Sequence, residues 1–345
     1  MSARLLALFP RSSYIVSPIF DWLAFIAAPL IGLVACMLIH FHVLPDPTIQ
    51  FGEFRGKFCF FIILIVMTQC HLFITVLRAY GNKTIFLKFK RRLLLGPLAI
   101  FLSVYSYEWV FMLMLFVNTW WDVYHSACQT YGFSRLYDVR VGNTSTSMCV
   151  LDRILNCLIY IGPILGGANL ISHLDVFQQS YFEMLFFSQI PFYAGFYSRT
   201  ILLLVLLFTA LFIPYYLYAA WKSSKKNNIS YQKICLLSIT ALVSILAWGF
   251  NTFGMAFLIA NFFHAWQYYA MIYWSEKSSV AKRLNLDDKK ASLAVIFILI
   301  ALSVSLMFFV VFFQKTQFIV SLLLTISLCH FWFDGFIWSV KKKHV

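Results

Sequence analysis

The sequence predicts an all-α integral membrane protein, built as a polytopic bundle of transmembrane helices. Of its 345 residues, 61% are hydrophobic and only 12% are charged, and the mean hydropathy is +0.81. A soluble globular domain is about 45–50% apolar and about 25% charged. A soluble core cannot enclose this much apolar surface, whereas a bilayer accepts it. We therefore expect residues 1–345 to form a single integral membrane domain.

Ten apolar stretches are predicted to cross the membrane, with eight or nine as the alternative count. The third is short for a span of about 20 residues. It shares one apolar run with the fourth, broken near Ser106 and Glu108, and the seventh and eighth share another, broken between 251 and 254. The predicted spans are 18–41, 57–80, 92–106, 108–132, 152–172, 199–221, 232–250, 254–274, 291–313 and 318–340.

Two further segments flank or interrupt these spans. Residues 1–17 are expected to form a short cytoplasmic N-terminus without a cleaved signal peptide, because Pro10 and Arg11 break its apolar run. Residues 173–198 mix acidic residues, a proline and many aromatics. We expect this stretch to be an interfacial or re-entrant segment.

Lysine and arginine gather in the connections that follow the even-numbered spans. Cytoplasmic connections of membrane proteins carry the excess of these residues. Both termini and every even-numbered exit are therefore predicted to be cytoplasmic, as in a bacterial inner membrane. The net charge of +14 is explained by these cytoplasmic basic residues, so we expect no nucleic-acid partner. The basic residues are Lys83, Lys88, Lys90, Arg91, Arg92, Arg135, Arg140, Arg153, Lys222, Lys225, Lys226, Lys233, Lys277, Lys282, Arg283, Lys289, Lys290, Lys341, Lys342 and Lys343.

Four histidines lie deep in apolar spans, namely His71, His125, His264 and His330 on the second, fourth, eighth and tenth. Each precedes the predicted cytoplasmic end of its span by about two to three turns, which at about 1.5 Å per residue is roughly 10–15 Å. A shared level in the membrane is thus predicted for all four. An ionisable side chain at such a depth is costly and indicates function.

Polar residues share the helical faces of three of these histidines, since side chains three, four or seven residues apart lie on one face. Metal-bound imidazoles usually donate their second ring N–H to a carboxylate, amide or carbonyl. We expect Asp122, Gln129 and Asp334 to orient metal ligands in this way, and we include Tyr268 among the catalytic residues. The shared faces are Asp122, His125 and Gln129; Asn261, His264 and Tyr268; and His330 and Asp334.

The donor set favours a nitrogen-rich metal site. Imidazole suits iron, zinc, copper and nickel, and the eight cysteines form no C-x-x-C pair, so we expect reduced, buried thiols. A site reached from the lipid suits an apolar substrate and O₂. Fe(II) is therefore the expected cofactor, with zinc or another metal as the alternative. Packing across a helix interface is the alternative role for any single histidine.

Two of the histidine motifs resemble those of a known family, the bacterial membrane β-carotene dioxygenases of the Brp/Blh type. The motif HFWFD at 330–334 resembles their C-terminal motif, and NFFH at 261–264, followed by Trp274, resembles the one before it. His71 and His125 resemble the first two histidines by their order. The resemblance implies an all-helical membrane protein in which histidines hold one iron and a carotenoid is cleaved to retinal.

The family pattern H-x-x-x-D is not complete in this chain. His71 has no aspartate four residues later, and His125 is followed by Gln129 at that position. Residues 124–132 and 334–338 also resemble motifs of uncharacterised bacterial polytopic membrane proteins. The incomplete H-x-x-x-D patterns at His71 and His125 affect the prediction of the substrate more than the prediction of the metal.

Together these features predict a membrane metalloenzyme, a non-haem iron oxygenase or oxidoreductase that acts on a lipid, isoprenoid or carotenoid. His71, His125, His264 and His330 are the expected ligands. Two other classes remain open. Buried histidine and aspartate also serve transporters and proton relays, although no internal repeat or matched pair of broken helices is evident. A non-catalytic structural membrane protein is the third class.

Overall fold

The computed structural model describes residues 11–40, 70–166, 197–250, 253–313 and 316–338. The described residues are 89% helical and contain no strand. The first part of the predicted span 57–80 and nearly all of the segment 173–198 lie outside them. The helices are α1 Pro18–Asp21, α2 Ala28–His40, α3 His71–Ala79, α4 Lys83–Ser106, α5 Glu108–Arg140, α6 Ser147–Gly166, α7 Ser198–Ser224, α8 Tyr231–Phe250, α9 Phe253–Leu284, α10 Asp288–Phe313 and α11 Gln317–Ile337.

Several of these helices are long and apolar enough to cross a membrane, which confirms the all-helical, multi-pass prediction. Five qualify alone, and two bent pairs bring the number to seven among the described residues. The single helices are Met148–Gly166, Arg199–Ser224, Tyr231–Phe250, Asp288–Leu306 and Gln317–Ile337. The pairs are Pro18–Ile26 with Ala28–Ala35, bent by 50°, and Lys83–Ser106 with Glu108–Arg140, bent by 120°.

The predicted break between the third and fourth spans is confirmed. Helix α4 ends at Ser106, and Tyr107 takes the extended conformation with φ −128° and ψ 111°. Helix α5 then begins at Glu108. One extended residue is enough to interrupt the helical hydrogen bonds, and the chain turns by 120° there. The second predicted break falls at residues 251 and 252, which lie outside the described residues between α8 and α9.

The basic stretches are more helical than the sequence suggested. Residues 81–91 were expected to form a loop, but α4 begins at Lys83, and the Asn82 side chain caps it by accepting from two backbone N–H groups. Helices α5 and α9 likewise continue to Arg140 and Leu284. Lysine and arginine are good helix formers. An apolar run therefore marks only the part of a helix that suits lipid, and not where the helix ends.

The chain divides into two compact units, and α5 and α9 contribute to both. The first unit comprises Met1–Ile49 and Val123–His264, and the second comprises Gln50–Asp122 and Ala265–Val345. In the first unit, α6 packs against α7 and α8, and α2 packs against α8. In the second unit, α11 packs against α3 and α4, and α10 packs against α3.

The first unit contains a buried group of charges. Lys233 on α8 donates to Asp138 of α5 at 2.8 Å and to Asp152 of α6 at 2.7 Å. Arg135 pairs with Asp138 at 2.7 Å, and the Tyr216 hydroxyl of α7 donates to Asp152 at 2.8 Å. Two cations and two carboxylates on three helices thus balance one another, and Tyr216 joins α7 to this group.

The packing of α4 on α11 in the second unit depends on Gly96. A Cβ atom at this position would overlap the indole ring of Trp332. The ring in turn packs beside Phe333 and Phe336, in a cluster that includes Leu93. The absence of a side chain at Gly96 therefore lets the two helices approach each other.

We predict that Gly96→Ala destabilises the protein because the added methyl group must displace Trp332. Overpacking of this kind costs about 1–3 kcal/mol. Gly132→Ala is the matched control, since a Cβ there meets nothing within 4 Å. Thermal unfolding in detergent should show a lower midpoint for Gly96→Ala and an unchanged or higher midpoint for Gly132→Ala. Equal midpoints for the two variants would contradict this account of the α4–α11 contact.

Candidate metal centre

In the second unit, two of the predicted ligands face each other. His71 is the first residue of α3 and is fully buried, and His330 on α11 is 1% exposed. Their ring centroids are 5.3 Å apart and the ring planes are perpendicular, at 89°. Ring nitrogens of the two residues lie within 4.8 Å of each other.

A chain of hydrogen bonds connects His330 to Asp334. The Nδ1 atom of His330 lies 2.5 Å from the Thr75 hydroxyl, which lies 2.7 Å from the Tyr268 hydroxyl. Tyr268 donates to the Asp334 carboxylate at 3.0 Å. The Tyr268 ring also packs on the His330 ring, with centroids 4.8 Å apart.

The donor and acceptor in each of these hydrogen bonds follow from the last acceptor, the Asp334 carboxylate. Because Tyr268 gives its proton to Asp334, its oxygen accepts from Thr75, and the Thr75 oxygen then accepts from His330. His330 therefore carries its proton on Nδ1, and its Nε2 has the lone pair that a metal requires. A hydrogen bond at one ring nitrogen commonly sets the metal-binding role of the other.

A buried ion pair lies beyond Asp334. The Trp338 indole donates to Asp334 at 3.1 Å, and the Arg78 guanidinium lies 3.8 Å above the Trp338 ring. Arg78 also pairs with Glu276 at 2.5 Å, and both residues are 2% exposed. The Trp338 ring thus contacts the Arg78 cation through its face and the Asp334 carboxylate through its N–H. This arrangement fixes the position of Asp334 at the end of α11.

In the first unit, the other two predicted ligands form a second pair. His125 of α5 is 6% exposed and His264 of α9 is 1% exposed. Their ring centroids are 5.0 Å apart, and the ring planes meet at 78°. The four predicted ligands therefore divide two and two between the units.

The other predicted site residues make contacts of their own. The Gln129 side-chain amide donates to the backbone oxygen of His264 at 3.0 Å and so joins α5 to α9. Asp122 is 7% exposed, one turn before His125 on α5, and belongs to the second unit. Tyr268 shares a predicted helical face with His264, yet its hydroxyl lies between Thr75 and Asp334.

The donor chemistry of both pairs fits a transition metal. Two imidazole nitrogens on one ion lie at about 2.0–2.1 Å from it, which places them within about 4 Å of each other. When two imidazoles bind one ion, nearly perpendicular ring planes, as in both pairs, keep the C–H edges of the two rings from colliding. A carboxylate oxygen of Asp334 lies within 4.8 Å of a His330 ring nitrogen. The second unit therefore offers two imidazoles and a neighbouring carboxylate.

Sequence reasoning missed the residues that connect the helices. Thr75, Arg78, Glu276 and Trp338 were not assigned a role in the site. A weak signal existed, because Arg78 lies one turn after Thr75 on the same helix. Its partner Glu276 lies 198 residues further along the chain, so spacing alone cannot find it.

Comparisons with protein-family models, curated protein sequences and solved structures find no match to this chain. The resemblance to the carotenoid dioxygenases therefore rests on the histidine motifs and stays a prediction.

We predict that Thr75→Val weakens metal binding while the fold persists. Valine has the shape of threonine but cannot accept the Nδ1 proton of His330, so the orientation of that ring is lost. Changes in residues that support a metal ligand cost about 10–100-fold in affinity. Thr119→Val is the matched control, because the Thr119 hydroxyl bonds only within its own helix, to Leu115, among the bonds described for it.

The measurement is a metal titration of purified protein against a competing chelator, with thermal unfolding recorded on the same samples. Thr75→Val should need a higher free metal concentration for half-saturation, and Thr119→Val should match the wild type. A Thr75→Val protein with unchanged metal affinity and a lower midpoint would show that Thr75 serves packing alone.

Proposed function

We propose that this chain is a membrane-embedded, metal-dependent oxidoreductase that uses non-haem iron and O₂ on an apolar substrate. The observation that carries the proposal is the presence of two pairs of buried, crossed imidazoles, His71 with His330 and His125 with His264. Ionisable side chains in apolar helices are costly and usually functional. Nitrogen donors suit iron, with zinc or another metal as the alternative.

The side chains have distinct roles in this proposal. His71 and His330 are the proposed ligands in the second unit, and His125 and His264 are those in the first. Thr75 and Tyr268 relay the orienting effect of Asp334 to His330. Gln129 holds the backbone at His264. The bound iron supplies the O₂ chemistry that amino-acid side chains lack. Burial of the imidazoles keeps water from the reacting atoms.

The proposed substrate is a lipid, an isoprenoid or a carotenoid. Three observations support an apolar compound: the histidines lie in apolar helices, several helices suit a bilayer, and the motif at 330–334 resembles that of carotenoid dioxygenases. A polar substrate would have to cross lipid to reach such a site. O₂ is more soluble in hydrocarbon and is the matching oxidant.

A proton or ion relay is the second candidate, and the buried ion pairs favour it. The group around Lys233 and the Arg78–Glu276 pair resemble the paired charges that membrane pumps and transporters carry. A relay needs no metal, so metal content separates the two functions. A purely structural membrane protein is likewise expected to bind none.

We predict that the purified protein retains about one iron per chain, or about two if carboxylates bridge two ions. His125→Ala and His330→Ala should each lower the metal content, because each removes one buried imidazole of a pair. His42→Ala and His344→Ala are the controls, since these residues lie near the predicted membrane edge and in the basic tail. Elemental analysis after purification without chelator makes the measurement. If all four buried His→Ala variants kept full metal, the histidines would be packing residues.

We further propose ten spans with both termini in the cytoplasm, as in a bacterial inner membrane protein. Lys83 and Lys225 are exposed and belong to basic stretches that the positive-inside bias assigns to the cytoplasm. Gln317 is exposed at the start of α11, in a connection that the same scheme assigns to the outside. The three positions therefore test the scheme from both sides.

Single cysteines at these positions should differ in labelling. In a background without native cysteines, a membrane-impermeant thiol reagent added to intact cells should modify Gln317→Cys and spare Lys83→Cys and Lys225→Cys. Lysis should make all three reactive, which controls for access. Labelling of either lysine position in intact cells would overturn the orientation.

A further inference from the structure

A large cavity lies within the first unit, between α6, α7 and α8. Its volume is about 950 Å³. Ligand sites typically enclose about 300–1,000 Å³, so this cavity is at the upper end of that range. None of the four histidines lines it. The site is therefore separate from the candidate metal centre.

The cavity is a long slot with an apolar body and one polar end. Leu155, Leu202 and Ile245 are typical of the apolar body, whereas Ser230 and Lys233 lie at the polar end. Lining residues extend along α8 from its first turn to Phe250. At about 1.5 Å per residue the slot is roughly 25–30 Å long, close to the thickness of the hydrocarbon core. An acyl chain confined to one leaflet spans about half of this length.

The apolar body is bounded by a close approach of α6 and α7. Gly162 and Gly166 on α6 form a G-x-x-x-G motif, which lets membrane helices pack closely. A Cβ added to Gly166 would lie 3.3 Å from Leu202 and 3.4 Å from Val205 of α7. Helices α6 and α7 are thus in contact near the apolar end of the slot. The space that remains there is suited to one hydrocarbon chain.

The polar end carries charges that are already balanced. Lys233 and Asp138 line the slot, and they belong to the group in which Arg135 and Asp152 complete two cations and two carboxylates. Asp152 is fully buried. An anionic or cationic head group would compete with these pairs and leave a buried charge uncompensated, which is costly. An uncharged group that donates and accepts hydrogen bonds suits this end.

We infer that the slot binds a membrane amphiphile with one long hydrocarbon chain and an uncharged hydroxyl head, such as a long-chain isoprenoid alcohol. The chain occupies the apolar body, and the hydroxyl lies beside Lys233 and Ser230. The inference does not rest on the proposed metal function. A protein that binds no metal can still bind this ligand.

Photolabelling tests the inference with geranylgeraniol that carries a diazirine on its chain. Labelled peptides of the full-length protein in detergent are mapped by mass spectrometry. We expect labels on α6, α7 and α8 residues that line the slot. Excess geranylgeraniol should remove the labels, whereas geranylgeranyl phosphate, with the same chain and an anionic head, should compete about tenfold more weakly or not at all.

Ala241→Phe and Leu242→Phe form a matched pair of variants on α8. Ala241 lines the slot, whereas Leu242 is 53% exposed and does not. Filling the slot with Ala241→Phe should reduce competable labelling by about tenfold or more, and Leu242→Phe should leave it near wild type. Ser238→Leu, also in the slot, serves if Ala241→Phe unfolds, as judged by gel filtration and thermal unfolding.

Three results would overturn the inference. Equal labelling of well-folded Ala241→Phe, Ser238→Leu and wild-type protein would show that the probe binds elsewhere. Labels that excess alcohol does not remove, spread over exposed α7 residues such as Leu203 and Leu211, would indicate surrounding lipid alone. Equal competition by the phosphate would show that the head group is not required to be uncharged.

Discussion

The pairing of buried charges is the constraint on which the rest of this structure depends. An ion in an apolar interior loses its hydration, and removal of one partner from a buried pair costs about 3–5 kcal/mol. Arg78 of α3 therefore requires Glu276 of α9, and Lys233 of α8 requires the carboxylates of α5 and α6. Each pair joins helices that are far apart in sequence. Apolar packing alone gives helices little preference among neighbours in lipid, so these pairs determine which helices meet.

The same constraint explains the form of the site around His330. A histidine in this environment needs a hydrogen-bond partner at Nδ1, and the Thr75 hydroxyl of α3 accepts the Nδ1 proton of His330. Thr75 in turn needs Tyr268, and Tyr268 needs the carboxylate of Asp334. Each polar group thus forms a hydrogen bond to the next, and three helices contribute to this series of hydrogen bonds. The ring that lies at its end is held in one orientation, which is the property that a metal ligand requires.

The sequence predicted the helical class, the break at Tyr107 and the burial of the four histidines. Composition and apolar runs carry this information directly. The ends of the helices were harder, because α4 takes in lysines and arginines that were assigned to a loop. Lipid preference and helix propensity are different properties, and only the first follows from an apolar run.

The partners in the site were less predictable, for a geometric reason. Residues three, four or seven apart share a helical face, so the sequence correctly placed Asp334 near His330. It could not show that the hydrogen bonds between them pass through Tyr268 of α9 and Thr75 of α3. Contacts between helices depend on packing, and no local spacing encodes them. Gln129 illustrates the same limit, because its amide reaches the neighbouring helix and bonds its backbone.

The balance of charge distinguishes the two polar groups and bears on what each can bind. Around Lys233 two cations meet two carboxylates, so the group is complete and suits an uncharged neighbour. In the second unit Arg78 is matched by Glu276, and Asp334 adds a further carboxylate within 4.8 Å of a His330 ring nitrogen. If the proposed metal is bound at His330, its positive charge favours the ionised form of Asp334. An ionised Asp334 accepts from Tyr268, and through Thr75 this keeps the His330 proton on Nδ1.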